Sequence, residues 1–514
     1  MHSRYNPRLE AEKYINALNL QGAEYLILIE PGLGYMIPLL REKYPRARII
    51  ALHVEDQGRA AADEILPDTS GAASWSPESG IGVQEFLAEI IGDKAASAVR
   101  IIEWRPALIR YGEPYLKLLS AAAGFIKQSE ANFRTVKGFG RRWFRNFLKN
   151  LRLLHYFPIY EKLEVPMVIT GSGPGLEESI PLIAEMKQRE HLFVLAASSG
   201  VQTLLCRGIV PDLILSTDGG SWALLHLYEC LRGTAGIAAK TAGITAGSPP
   251  VIAAALSAAL PSQCANVPLL AISDSSFWQN LILRRLNIPH IPLVQRGTVT
   301  ASAIDLALAL SSGKVLIAGM DLAVRDIRTH VRPYSFDRLQ AERASRLNPV
   351  YSQTYVRAAG ITGGGSHQIY ASWFGSQLKA YPGRLYTLGS NNQVFQGLKE
   401  WKNLTAEIAE GTEGGRREEP LLPNSSAIPV PSVVDPPSSP RIEEVGLPED
   451  PAAFAVTILK EVLSDPRTKI PVTAELSGLL FPGREEVGAA ELTDEINVLA
   501  GPYCGSNPAE FIDG

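Results

Sequence analysis

Short, nearly unbroken Val/Ile/Leu runs alternate along the chain with longer stretches in which apolar residues recur every three or four positions. That alternation predicts buried parallel strands separated by amphipathic helices, a doubly wound α/β arrangement covered on both faces. In residues 1–125, YLILIE (25–30) and RIIALHV (48–54) read as strands flanking a Gly-containing turn and a helix, which makes a Rossmann-like N-terminal domain. GAASWSPESG (71–80) reads as loop, and RIIEWRPALIRYG (100–112) as a last strand with a Pro-marked exit.

In 126–160, Val136, Phe139, Trp143, Phe147, Leu151 and Leu154 form an apolar stripe, while Lys137, Arg141, Arg145 and Lys149 repeat every four residues. The pattern predicts a basic amphipathic bridge helix, weakened by Gly138 and Gly140. Its charged face is either solvated or a surface for anionic lipid, a partner or an anionic substrate. Residues 161–400 form the largest domain, an open α/β unit. Its strands are VPMVIT, HLFVLAA, DLILSTD, PLLAISD and KVLIAGMD, and VIAAALSAAL (251–260) is expected to be a buried helix. Residues 411–450, dense in Pro, Gly, Ser and Glu, read as a linker, and 451–514 as a small helical C-terminal region.

Composition narrows the picture. A chain of 514 residues with 46% hydrophobic and 20% charged residues is long enough for two or three core-forming domains. A net charge of -4 argues against wholesale nucleic-acid binding. Cys206, Cys230, Cys264 and Cys504 are far apart and form no CxxC pair, which fits reduced thiols. No apolar stretch reaches the length of a membrane span and no signal-peptide core is present, so a cytoplasmic location is expected. No HxxxH, HExxH or Cys/His cluster suggests zinc, and no GxSxG elbow suggests hydrolysis.

In open α/β sheets, ligands collect at the carboxyl ends of strands, and four junctions place polar or flexible residues there. Gly171, Ser172, Gly173, Pro174 and Gly175 precede a helix. Glycines let backbone N–H groups approach a phosphate, although the motif is neither GxGxxG nor a Walker loop and serves equally as a bare turn. Asp218, with Gly219 and Gly220 behind it, is placed to accept from ribose or acceptor hydroxyls, to bind a metal or to cap the next helix. Arg296, Gly297, Thr298 and Thr300 offer a cation and a helix N-terminus, or simply a Thr N-cap. Asp321 ends a strand, and His330 follows among Arg325, Arg328 and Arg332, a setting that favours neutral imidazole and hence a base. His330 and His367 are the two site histidines. His2 is terminal, and His53, His155, His191, His226 and His290 read as structural.

Taken in order, GSGPGLEESIPLI, RGIVPDLILSTD, RGTVTASAIDLALALSSGKVLIAGMDLA and RTHVRP resemble the motifs of the motility-accessory-factor family. That family includes flagellin nonulosonate glycosyltransferases and 6-hydroxymethylpterin diphosphokinase-like proteins. The resemblance implies a sialyltransferase-like central domain, a CMP-activated nonulosonic acid as donor substrate, and no obligatory metal cofactor. It also implies that Gly171, Ser172, Gly173, Pro174 and Leu176 line the nucleotide phosphate and that Asp218 faces the nucleoside or acceptor. Gly297 and Thr298 would sit at the next loop, Asp321 at the pocket floor and His330 at the transfer centre. The chain departs from the pattern at Gly175, where a serine is usual, and at Asn391 and Asn392, where glycines are expected. The GLG turn at 32–34, with Glu55 after the next strand, is also similar to a methyltransferase nucleotide pocket but lacks its third glycine.

The expected function is therefore transfer of the sugar from its nucleotide to Ser/Thr hydroxyls of flagellin or another flagellar protein, with Thr298, Asp321 and His330 at the reacting centre. One alternative is diphosphate transfer from ATP to a hydroxymethyl pterin, with Mg²⁺ held by Asp218 and Asp321. The other is a catalytically degenerate flagellar assembly or chaperone protein.

Overall fold

A computed structural model describes residues 2–3, 5–65, 72–91, 98–189, 192–228, 231, 251–293, 298–363, 383–389, 398–401, 440–465, 469–484 and 486–504. They divide into two units, 1–140 with 476–487 and 141–475 with 488–514.

The first unit is built on β1 (Tyr25–Ile29), β2 (Arg48–Leu52), β3 (Ala73–Trp75) and β4 (Val99–Glu103), all parallel in the order β3-β2-β1-β4. Helices α1 (Pro7–Asn16), α2 (Met36–Lys43), α3 (Asp56–Ile65), α4 (Val83–Ile91) and α5 (Arg105–Tyr111) accompany it. Asn6 caps α1 by accepting from Leu9 N at 3.0 Å. Two expectations change. Residues 73–75, read as loop, pair with β2, and the exit after β4 is the helix α5, with Pro106 in its first turn where no N–H is missed. Leu26, Ile27, Leu28 and Ile29 are wholly buried, as a strand covered on both faces requires.

Helix α6 (Glu113–Leu151) begins before the expected bridge and ends short of it. In its last turns the buried face is Phe144, Phe147, Leu148 and Leu151, so the expected stripe holds at Phe147, Leu151 and, just past the helix, Leu154, whereas Phe139 is exposed and Trp143 only half-buried. Gly140 is a packing residue: a Cβ there would collide with the Leu479 carbonyl of α14 (Lys469–Leu480).

The second unit carries nine parallel strands in the order β11-β10-β9-β8-β7-β6-β12-β13-β14. They are β6 (Met167–Thr170), β7 (Phe193–Ala197), β8 (Leu213–Ser216), β9 (Ile252–Ala255), β10 (Leu269–Ser273), β11 (Ile291–Pro292), β12 (Val315–Ala318), β13 (Leu385–Thr387) and β14 (Lys399–Glu400). β9 corrects the reading of 251–260 as a helix. Its alanines favour helix intrinsically, but both faces of the position are buried between β8 and β10, and small side chains fit there. Chain order runs outward in one direction from β6 to β11 and in the other from β12 to β14, so the switch point lies between β6 and β12.

Around this sheet lie α7 (Leu176–Arg189), α8 (Val201–Cys206), α9 (Phe277–Arg285), α10 (Val299–Leu310), α11 (Asp337–Glu342) and α12 (Val350–Gly363). Part of the expected linker is ordered as β15 (Arg441–Glu444), which pairs antiparallel with β5 (Tyr156–Ile159). The C-terminal region is helical, with α13 (Pro451–Ser464), α14 and α15 (Ala489–Ala500). Asp450 caps α13, and Glu475 of α14 accepts from Phe277 N at 2.8 Å and Trp278 N at 3.0 Å, supplying the start of α9 with the acceptor that Ser276 does not. Among the described residues no helix is long and apolar enough to cross a membrane, and Cys206, Cys264 and Cys504 are not disulfide-bonded to one another.

Candidate functional site at the sheet switch point

The glycine turn after β6 and the loop after β12 are laced together. Gly171 N donates to Ala318 O at 2.8 Å and Gly173 N to Gly319 O at 2.7 Å, while Val331 N donates to Ser172 O at 2.9 Å. Closeness of this order explains the glycines. A Cβ at 171 would strike the Gly319 carbonyl, and one at 173 would strike both that carbonyl and the Asp321 carboxylate. Leu322, Asp326 and Ile327, non-glycine residues in the same loop, adopt left-handed φ values of 45°, 49° and 60°. Strain of this kind persists only where surrounding contacts impose it.

Asp321 takes a position the sequence did not reveal. Its carboxylate accepts from Gly175 N at 2.5 Å, at the N-terminus of α7, the place where a bound anion would be expected. Burial raises its pKa above the ordinary carboxylate range, partly opposed by the Gly175 amide and Arg325 and reinforced by Glu178. The N–H groups of Gly171, Gly173 and Gly175 are therefore all engaged within the protein, and Pro174 has none. Ser172 keeps an amide with no hydrogen bond among the described residues, and its hydroxyl accepts from Ser199 Oγ at 2.9 Å. Gly175, the departure from the expected serine, is required here, since a Cβ would press on Asp321.

Glu177 and Glu178, which would repel an anion, are neutralised by Arg328 (Nη1 to Glu177 Oε1, 2.9 Å) and Arg325. Beyond them, Arg328, His330, Arg332, Tyr334, Thr354 and Arg357 line a cleft. His330 stacks on Tyr334 with ring centroids 4.2 Å apart and planes 16° apart, and its Nδ1 lies 2.8 Å from Thr329 Oγ1. Burial pushes the Tyr334 phenol up, so it stays protonated. Arg357 donates from Nη1 at 2.8 Å to the Gln340 carbonyl oxygen, in the amide orientation its neighbours dictate. That partner is neutral, and Arg332 Nε stands 4.0 Å from Asp337. Planar guanidiniums beside an imidazole suit a phosphate or carboxylate.

Thr298 is the N-cap of α10, its hydroxyl accepting from Ala301 N at 3.2 Å, and Thr300 Oγ1 lies near Gly171. Asp218 is exposed at the end of β8, where Oδ1 accepts from Gly220 N at 2.8 Å. Its charge bears on Tyr334 and on His226. His226 is buried against Phe336, and burial lowers its pKa to about 4 against the pull of Asp218, so it is neutral at physiological pH. Arg296, Gly297, His367, Asn391 and Asn392 lie outside the described residues.

The structure thus brings residues 171–175, 300, 321 and 328–334 into one place. Arg357, Tyr334 and two asparagines of α6 join the predicted residues in the second unit. Asn146 Nδ2 donates to Gly219 O at 3.2 Å and Ser257 O at 2.9 Å, and Asn150 Nδ2 donates to Leu256 O and Ala258 O at 2.8 Å. They hold the loops beyond β8 and β9, and their spacing of four on the helix was the available signal.

Residues 141–326 match the family model described as 6-hydroxymethylpterin diphosphokinase MptE-like, in line with the motif resemblance. Two uncharacterized proteins of Treponema pallidum (strain Nichols) are similar. One is 27% identical over 60% of this chain and 64% of its own length, and the other 29% identical over 20% of this chain and 49% of its own. The matches span less than two thirds of either relative. A MAf glycosyltransferase from Magnetospirillum magneticum AMB-1 aligns in structure with TM-score 0.48 and 12% identity, over 94% of this chain and 73% of that one.

Proposed function

We propose that the second unit transfers a nonulosonic acid from a CMP-activated donor to Ser or Thr hydroxyls of an acceptor such as flagellin. The observation that carries this reading is the arginine-lined cleft holding His330, joined by the Val331–Ser172 hydrogen bond to the glycine turn at the switch point. An acceptor oxygen would attack the anomeric carbon as the bond to the phosphate oxygen breaks, and CMP would leave with the bonding electron pair. His330 would take the hydroxyl proton, and Arg332, Arg357 and the Ser172 amide would offset the charge on the departing phosphate. Asp321, already committed to Gly175, is better suited to holding the turn than to reacting, and Thr298 to capping α10.

The family match also gives weight to diphosphate transfer from ATP. The carboxylates fit magnesium poorly. Asp321 accepts from Gly175 and is biased by burial toward its protonated form, and Asp218 accepts from Gly220.

Calorimetry separates the readings. CMP binding without metal supports sugar transfer, ATP binding only with Mg²⁺ supports diphosphate transfer, and no nucleotide binding supports a degenerate assembly protein. Under the first, His330→Ala lowers the transfer rate by roughly 10²- to 10⁴-fold in folded protein that still binds CMP. An unchanged rate removes His330 from the chemistry.

A further inference from the structure

Twelve buried side-chain polar atoms lack a hydrogen-bond partner among the described residues, and four of them surround one turn of the first unit: His2 Nδ1, Glu30 Oε1, His53 Nδ1 and Trp104 Nε1. Native proteins leave few such groups, and each asks for a reason. All four belong to the carboxyl end of the small sheet, where β1 gives way to α2 and where the order β3-β2-β1-β4 places the switch point between β1 and β4.

Glu30 follows β1 directly, is 0% exposed, and is held in the left-handed region at φ 47°. A non-glycine residue is costly there and points to an imposed function. Glu30 Oε2 accepts from Val54 N at 2.7 Å, whereas Oε1 lies 3.8 Å from His53 Nδ1, too far for a direct bond. His53 and Trp104 are each 3% exposed.

The turn already holds a ring. His2 lies against Gly32, where a Cβ would collide with the imidazole, and its Nε2 accepts from Leu33 N at 3.0 Å. The ring stacks on Trp104 with centroids 5.6 Å apart and planes 26° apart, and meets Tyr35 edge-on at 5.2 Å. Burial lowers the His2 pKa, which keeps the accepting nitrogen unprotonated. The crevice thus binds a planar nitrogen heterocycle from the chain itself, through one backbone donor and two aromatic walls.

We infer that the carboxyl end of the first unit's sheet is a second small-molecule site, taking a nucleoside or a similar ligand in which a planar nitrogen heterocycle carries hydroxyl groups, with His2 as its internal occupant. The heterocycle replaces His2 on Trp104 and accepts from Leu33 N. A hydroxyl meets Glu30 and His53, donating to the carboxylate and accepting from the imidazole. Glu30 lies close enough to His2 for its charge to bear on the ring, so a ligand in that seat extends toward it. Glu55, exposed beyond β2, stands where strand-end carboxylates accept from ribose hydroxyls. Glu30 Oε1 and the Tyr111 hydroxyl both approach Gly58 in the first turn of α3, and the charges of Glu30 and Glu55 both bear on Tyr111.

The proposal is independent of the function assigned to the second unit, and its test uses the full chain with adenosine and cytidine, neither of which carries a phosphate for the arginine cleft. Calorimetry on His2→Ala should show binding at least tenfold tighter than in the unaltered chain, because the competing ring is gone. His2→Asn, which keeps a polar acceptor without the ring, guards against a folding defect and should show the same direction. Adding Glu55→Gln to either should weaken binding about fivefold. No saturable binding of either nucleoside at millimolar concentration in both His2 variants overturns the proposal. So does equal affinity with and without His2, or binding abolished by Arg357→Ala, which would place the ligand in the second unit.

Discussion

The two units repeat one device with different fillings. Each has a glycine turn at the carboxyl end of a strand beside its sheet's switch point, and each turn is occupied by a side chain of the same chain. In the first unit the occupant is a neutral imidazole brought by the N-terminal segment, stacked on Trp104 and bonded to one backbone amide. In the second it is the Asp321 carboxylate, set on the N-terminus of α7 and sewn in by the loop after β12. A glycine turn identifies only a place where backbone can be approached closely. What occupies it distinguishes a seat for a heterocycle from a seat for an anion, and shows whether the occupant can leave. His2 is held by one backbone hydrogen bond and two ring contacts, whereas Asp321 is flanked by strand and strained loop.

The sharpest way to break this contrast is a pair of alanines. At Gly173 a methyl group meets the Gly319 carbonyl and Asp321, backbone and anchored side chain that cannot move aside. Gly173→Ala should destabilise the second unit by about 3 kcal/mol, as overpacking of a tight site does. At Gly32 (φ 62°) the left-handed backbone costs Ala about 1–2 kcal/mol, and the added methyl displaces only the His2 ring. Hydrogen exchange in the core strands of each unit measures both. Equal costs would mean that Asp321 yields as readily as His2, and the distinction would collapse.

A smaller effect tests the consequence for ligands. If the anion seat of the glycine turn is filled from within, an incoming phosphate must rely on the cleft. Arg357→Ala should then raise the CMP dissociation constant roughly ten- to a hundredfold, the worth of a charge-assisted contact. Nucleoside binding to the first unit should not respond. Unaltered CMP affinity would return the phosphate to the turn and require Asp321 to move away.

These contrasts also mark where the sequence is informative. The strands from β6 to β8, with β10 and β12, are legible because burial on both faces leaves them as plain Val/Ile/Leu runs, and strand-end residues such as Gly171, Asp218 and Asp321 follow from them. β9 is not legible, since four residues rich in alanine match a helix locally and only the neighbouring strands decide. Residues 171–175, Thr300, Asp321 and 328–334 meet at the switch point, whereas Asp218 stands exposed at the end of β8, and Arg296 and Gly297 lie outside the described residues. The reach of Asp321 to an amide 146 positions away, and the arrival of Arg357 from α12, are long-range pairings with no local periodicity to announce them.

The finest probe removes the charge of the second occupant and keeps its shape. Asp321→Asn retains an oxygen that accepts from Gly175 N. The unfolded Asp321 titrates near the ordinary carboxylate value, about 3.9, while in the folded chain burial holds it higher. Below both values the carboxyl is protonated in either state and adds no pH dependence. As pH rises between them, the unfolded chain ionises first, so the unaltered protein loses stability through that window and then levels off. Asp321→Asn should erase this loss, matching the parent chain in acid and exceeding it modestly at pH 7 in urea midpoints compared at the two conditions. It should also raise CMP affinity by a few fold, because a formal negative charge no longer stands at the start of α7. A variant less stable at pH 7 than at pH 4, relative to the parent, would show that the helix end and Arg325 hold a full anion there. The turn would then be closed to phosphate for a stronger reason than packing, and the two units would differ in electrostatics more than in the tether of their occupants.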